Sequence, residues 1–132
     1  MLLLVVFIIL VMTVLVIGYL QAATTETEIM RNHKMSTQAL YIAEAGIEDA
    51  IYTIRQTGNS QWDAGFQNKE FPAGSGNTYT VVVDNSNYPS VIITSVATVS
   101  STYQRGVEAE IAVSGPPTSA PYPVSMNYWK EA

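Results

Sequence analysis

The first twenty residues, MLLLVVFIILVMTVLVIGYL, carry no charge, and only Thr13, Gly18 and Tyr19 among them are not plainly apolar. Charge begins at Glu26, and all six Lys and Arg residues lie beyond it. Twenty helical residues span ~30 Å, the thickness of a bilayer's hydrocarbon core. About fifteen large aliphatic side chains at ~1.5–3 kcal/mol each make the exposure of such a surface to water cost roughly tens of kcal/mol. A chain of 132 residues has no core large enough to surround a helix that is apolar on every side. The run belongs in lipid or among copies of itself.

A cleaved secretory signal is the alternative. Gln21-Ala22-Ala23 offers a passable cleavage site, but a signal's apolar region is shorter and follows a basic start. Membrane segments carry basic flanks that set their orientation. The expectation is therefore that a basic leader has been removed ahead of Met1.

The remaining composition excludes more than it suggests. Without cysteine, neither a disulfide framework nor a thiolate metal site can form. The net charge is −5 with no basic run, so nucleic-acid binding has no electrostatic footprint. One histidine, no cysteine, no nucleophile elbow and no phosphate loop leave an enzymatic reading with almost nothing to stand on. No cofactor is expected. His33, between Asn32 and Lys34, reads as a polar surface residue. Asp84-Asn85-Ser86-Asn87 reads as a hairpin turn, because it lacks the spacing and distal carboxylate of a calcium loop.

Beyond the apolar run the helical pattern continues. Ile29, Ser36, Leu40, Ala43, Ile47, Ala50, Ile51 and Ile54 recur mostly at steps of three and four, the stripe of an amphipathic helix facing a core. No proline precedes Pro72, and Gly58-Asn59 is a stop signal with Arg55 in the last turn. The pattern predicts one helix over residues 1–57, roughly 85 Å long if unbroken. Gly18 and Thr24-Thr25 are its expected weak points.

From Ser60 the composition changes. Residues 61–75 read as an irregular connector with Gly65, Pro72 and Gly74 as breakers. Residues 78–84, 91–99 and 102–113 are β-branched runs separated by a turn-rich segment and by Ser100-Ser101, which predicts a three-stranded antiparallel meander. In the third run Val107, Ala109, Ile111 and Val113 alternate with Glu108, Glu110 and Ala112. The last eighteen residues, 115–132, hold four of the six prolines and read as an extended tail. The organisation expected is a long helix over 1–57, with 1–20 as its membrane or filament-core part, a sheet domain over 58–114 and the tail.

A long apolar helix that continues amphipathically into a small antiparallel sheet resembles the type IV pilin superfamily. Within it, QALYIAEAGIEDAIYTI at 38–54 is similar to the A-x-x-A-E-A-G signature of PilX-like minor pilins, and Tyr79, Val81 and Ser95 fall at matching places in the strands. The resemblance covers most of residues 1–113 and leaves the tail unmatched. It implies an α+β fold and a chain processed by a prepilin peptidase in the cytoplasmic membrane. Pilus assembly machinery then moves such a chain into a helical homopolymer at the cell surface. Val5 stands where major pilins usually carry a glutamate, and proline is missing near position 22. A charge at that depth costs ~2.5–3.5 kcal/mol on insertion scales, so Val5 eases membrane entry while forgoing a register device. That leans toward a minor subunit that primes or caps a fibre, the alternative to the fibre-forming structural subunit that the reading as a whole favours. A single-pass membrane protein with a small binding domain that never polymerises is the other class of function open to the chain.

Four groups of residues follow from this reading. Met1, Leu4, Val5, Phe7, Leu10, Val14, Ile17 and Gly18 would line the filament core. Leu40, Ala43, Gly46, Ile47, Ala50 and Ile54 would pack helix on sheet, with Ala43, Ala45 and Gly46 allowing close approach. Glu26, Glu28, Arg31 and Lys34 form a charged collar. Glu44 and Glu48, four apart on one face, repel by about 0.2–0.5 kcal/mol. They would meet Arg31 and Lys34 of a neighbouring subunit, or else pair within the chain to Arg55 or Arg105 or remain solvated. Tyr122, Tyr128 and Trp129 supply aromatic area at low entropy cost and would dock the tail on a neighbour; a disordered end or an intrachain strap over the sheet is the alternative.

Overall fold

The computed structural model describes residues 1–57, 59–114 and 120–132. It has one helix, α1 (Leu2–Gln56), and five strands, β1 (Phe66–Glu70), β2 (Thr78–Asp84), β3 (Ser90–Val99), β4 (Tyr103–Val113) and β5 (Val124–Glu131). The fold is α+β: a long N-terminal helix packed on an open antiparallel sheet. The chain divides into two compact units, Met1–Lys34 and Met35–Ala132.

The first unit is helical from Leu2 and every one of its residues is exposed. Its threonine hydroxyls do not need water. Thr13 donates to the Ile9 carbonyl at 2.7 Å, and Thr24, Thr25 and Thr27 donate to Leu20, Gln21 and Ala23 in the same way. A hydroxyl bonded back four residues along its own helix is tolerable in an apolar surrounding, where an unpaired one costs several kcal/mol. The expected weak points at Gly18 and Thr24-Thr25 are continuous helix, because these i−4 bonds leave the backbone ladder in place.

In the second unit the strands follow chain order, β1-β2-β3-β4-β5, each antiparallel to the next. The expected runs reappear almost residue for residue as β2, β3 and β4. Alternation sets which side chains face the helix: Tyr79, Val81 and Val83 on β2; Val91, Ile93, Ser95, Ala97 and Val99 on β3; Val107, Ala109, Ile111 and Val113 on β4. From the helix come Ala39, Ile42, Ala43, Gly46, Ile47, Ala50 and Ile54. Together these form one continuous apolar layer.

Two expectations need correction, and two others fall outside what is described. The sheet has five strands rather than three, because β1 and β5 gain their order from ladder hydrogen bonds and side-chain anchors, with little burial to mark them in sequence. The core stripe does not extend to Ile29, which is 62% exposed. Gly58 of the stop signal and residues 115–119 of the tail lie outside the described residues.

The turns carry their own chemistry. Between β2 and β3, Asp84 accepts the Ser86 N–H, and the Tyr88 and Ser90 N–H groups bond to Asn85 and Asn87 carbonyls. Between β3 and β4 the connection is Ser100, Ser101 and Thr102: Ser100 and Ser101 both have positive φ, 51° and 58°, and the Thr102 N–H bonds the Val99 carbonyl at 3.2 Å, a tight turn whose two central residues take the left-handed conformation that suits the twist of the flanking strands.

Candidate assembly surface

Close approach of helix and sheet is organised around Gly46. A Cβ at this position would collide with Ser95 Oγ and stand 3.0 Å from Tyr79 and 3.2 Å from Val81. The three residues quoted for the pilin resemblance in the strands are thus the three that the glycine of the AEAG segment lies against. Ala39, Ala43 and Ala50, all fully buried, share the stripe at steps of four and seven. Ser95 Oγ is buried with no hydrogen-bond partner among the described residues.

Five of the six residues expected at this contact, Ala43, Gly46, Ile47, Ala50 and Ile54, are buried, and Leu40 is half-buried against the same core. Ala39 and Ile42 belong with them. Both could have been found by stepping back four residues from Ala43 and Gly46.

A polar clasp ties β1 to the helix. The Asp49 carboxylate accepts the Tyr79 hydroxyl at 2.5 Å and pairs with Lys69. Burial pushes the Tyr79 hydroxyl's pKa well up from its ordinary value, and the Asp49 carboxylate beside it adds to the shift. Lys69 also lies over the Phe66 ring, 4.4 Å from its centroid, and Phe66 meets Tyr79 edge-on at 6.2 Å. The partners of Asp49 lie 20 and 30 residues away, and no local pattern reports them.

The tail is folded into the sheet. Val107 to Val113 of β4 pair with Glu131 back to Val124 of β5, with an irregularity between Glu110 and Ile111. Register places Val124, Met126 and Trp129 on the core-facing side and Tyr128 and Lys130 on the open side. There Glu108 accepts from Lys130 and Tyr128, both at 2.9 Å, while Glu110 accepts from Ser90 at 2.7 Å and Asn127 at 3.1 Å. Lys130 and Tyr128 hold the Glu108 carboxyl below its ordinary pKa, and Ser90 and Asn127 do the same for Glu110. These glutamates fasten the last strand.

The expected docking trio is therefore split. Tyr122 is not available to a neighbour: it is 1% exposed, in this chain's own core, and its N–H bonds the Arg55 carbonyl at 3.0 Å. The apolar layer over the helix end draws in the one tail aromatic that lies before β5. Tyr128 is bonded to Glu108 on the open face, and Trp129, on the other face, stays 42% exposed.

The charges sort in the same way. Arg105 donates from Nε to Ser36 Oγ at 2.8 Å and faces Glu131 at 3.7 Å, so it does not serve Glu44 or Glu48. Among the described residues, no ion pair within the chain engages Glu26, Glu28, Arg31, Lys34, Glu44, Glu48 or Arg55. All the residues assigned to a filament core, Met1, Leu4, Val5, Phe7, Leu10, Val14, Ile17 and Gly18, are exposed. The helix has an 18-residue window apolar enough to cross a membrane, and none of that window is buried. Its length and composition are compatible with membrane anchoring.

The arrangement, a long apolar N-terminal helix packed on an antiparallel sheet, is pilin-like. No family model, curated protein or solved structure matches the chain.

Proposed function

We propose that this chain is a structural, non-enzymatic subunit of a type IV pilus-like extracellular filament, polymerising through its hydrophobic N-terminal helix. One observation carries the reading. The most apolar stretch of the molecule is its least covered, with every residue from Met1 to Lys34 exposed. Lipid covers that surface before assembly, and the same stretch of sibling subunits covers it afterwards. Transfer between two apolar surroundings needs little desolvation energy, so a machine can move the helix from one to the other. A prepilin peptidase and pilus assembly machinery are the partners this reading requires. The AEAG segment and Val5 favour a PilX-like minor subunit as the finer assignment within it.

A second reading keeps the helix in lipid permanently, as the anchor of a small extracytoplasmic binding domain. Shearing cells and locating the chain decides between the two. The filament reading expects it in high-molecular-weight extracellular material that negative-stain microscopy resolves as fibres, with mass spectrometry finding residues 1–20 attached. Recovery only in the membrane fraction supports the anchor, and a secreted chain beginning at Gln21 or later overturns both.

A further inference from the structure

The outer face of the helix in the second unit has no partner among the described residues. Tyr41, Glu48 and Tyr52 succeed one another at steps of seven and four, opposite the buried Ile42, Gly46 and Ala50. Tyr41 is 65% and Tyr52 64% exposed, so both rings are open to a partner. Glu48 stands between them, and Glu44 lies one turn before it. Neither carboxylate has an ion-pair partner among the described residues, whereas Asp49 beside them is engaged by Lys69 and Tyr79. Two carboxylates flanked by two aromatic rings form a strip suited to cations, which carboxylates attract by charge and ring faces by their quadrupole.

We infer that this strip, Tyr41-Glu44-Glu48-Tyr52, is the docking surface for Arg31 and Lys34 of a second copy of the chain. The inference rests on the polymer reading and names the polar contact within it. Charge complementarity narrows the occupant: Arg31, Lys34 and Arg55 are exposed cations without ion-pair partners among the described residues, whereas Arg105, Lys69 and Lys130 are each engaged elsewhere; Arg55 stands three residues beyond Tyr52 on the strip's own helix, which leaves Arg31 and Lys34 as the arriving pair. The arrangement also explains why Glu44 and Glu48 can stand four apart, since an arriving cation relieves their repulsion. Like charges brought together at an interface cost several kcal/mol, so reversing one partner acts strongly on assembly and weakly on the fold.

The test is charge exchange in the full-length chain. Glu48→Lys and Lys34→Glu are each expected to lower the yield of sheared filaments at least about tenfold, with circular dichroism of the detergent-solubilised chain unchanged. The double variant is expected to restore the yield. Because the chain has no cysteine, Lys34→Cys and Glu48→Cys copies co-expressed under oxidising conditions should give a disulfide-linked heterodimer. Normal filaments from either single reversal, or no recovery in the double variant, would overturn this surface while leaving the polymer reading standing. Failure of the unaltered chain to self-associate at all would remove both.

Discussion

Gly46 shows how a single side chain sets the spacing of two layers. Its missing Cβ lets the helix backbone come down onto Ser95, Tyr79 and Val81. Gly46→Ala forces that contact apart, and overpacking of this kind costs ~1–3 kcal/mol. Chemical denaturation of the detergent-solubilised chain, followed by far-ultraviolet circular dichroism, should show the loss. Ser95→Ala should be neutral or stabilising, because the hydroxyl it removes is buried with no partner among the described residues. The pair Gly46→Ala, Ser95→Ala should recover part of the loss, since the closest colliding atom is gone. A double variant no better than Gly46→Ala alone would place the clash with Tyr79 or Val81 instead. The small-residue stripe was legible in the sequence, because helical periodicity is local. The clasp of Asp49 with Lys69 and Tyr79 was not, since its members come from three elements and meet only once the sheet is formed.

Among the elements, α1 and the three central strands follow directly from periodicity. Strands β2 to β4 bury alternate β-branched side chains, and that alternation is written in the chain. The edge strands do not advertise themselves. β1, FQNKE, has four exposed residues of five; β5, VSMNYWKE, has seven of eight. Each is held by hydrogen bonds and charge to its neighbour, which a hydrophobic pattern cannot report. This makes β5 sensitive to acid. Glu108 and Glu110 have folded pKa values below their ordinary ones, so their contribution to stability is complete above the unfolded value and disappears as pH falls through the folded one. Thermal unfolding of the chain should therefore occur at lower temperature at pH 3 than at pH 7. The variant Glu108→Gln, Glu110→Gln should narrow that gap; an undiminished gap would assign the acid sensitivity to other carboxylates such as Asp84 and Glu70. The hairpin after β3 gives a test of opposite sign. Ser100 and Ser101 occupy positive-φ positions that cost an L-residue roughly 1–2 kcal/mol. Replacing them with Asn-Gly should stabilise the sheet by about 1 kcal/mol, read as a raised denaturation midpoint; no rise would mean the turn is not strained.

At the scale of the molecule, the two units have opposite relations to solvent. Met35–Ala132 buries its own apolar layer, while Met1–Lys34 buries none of its residues. The uninterrupted apolar run made that asymmetry plain from sequence, because no small domain can absorb it. What lies around the run was not legible, since neighbouring molecules leave no periodicity in a single chain. Deleting residues 1–34 should leave a soluble chain that still unfolds cooperatively on heating; an aggregating or unstructured product would mean that the sheet unit depends on the first half of the helix. The most direct test of the central claim is the mass of the full-length chain in detergent-free buffer, measured by light scattering on a sizing column. The account predicts assemblies of many subunits, each helix covered by its neighbours. A stable monomer of 14.4 kDa would contradict it.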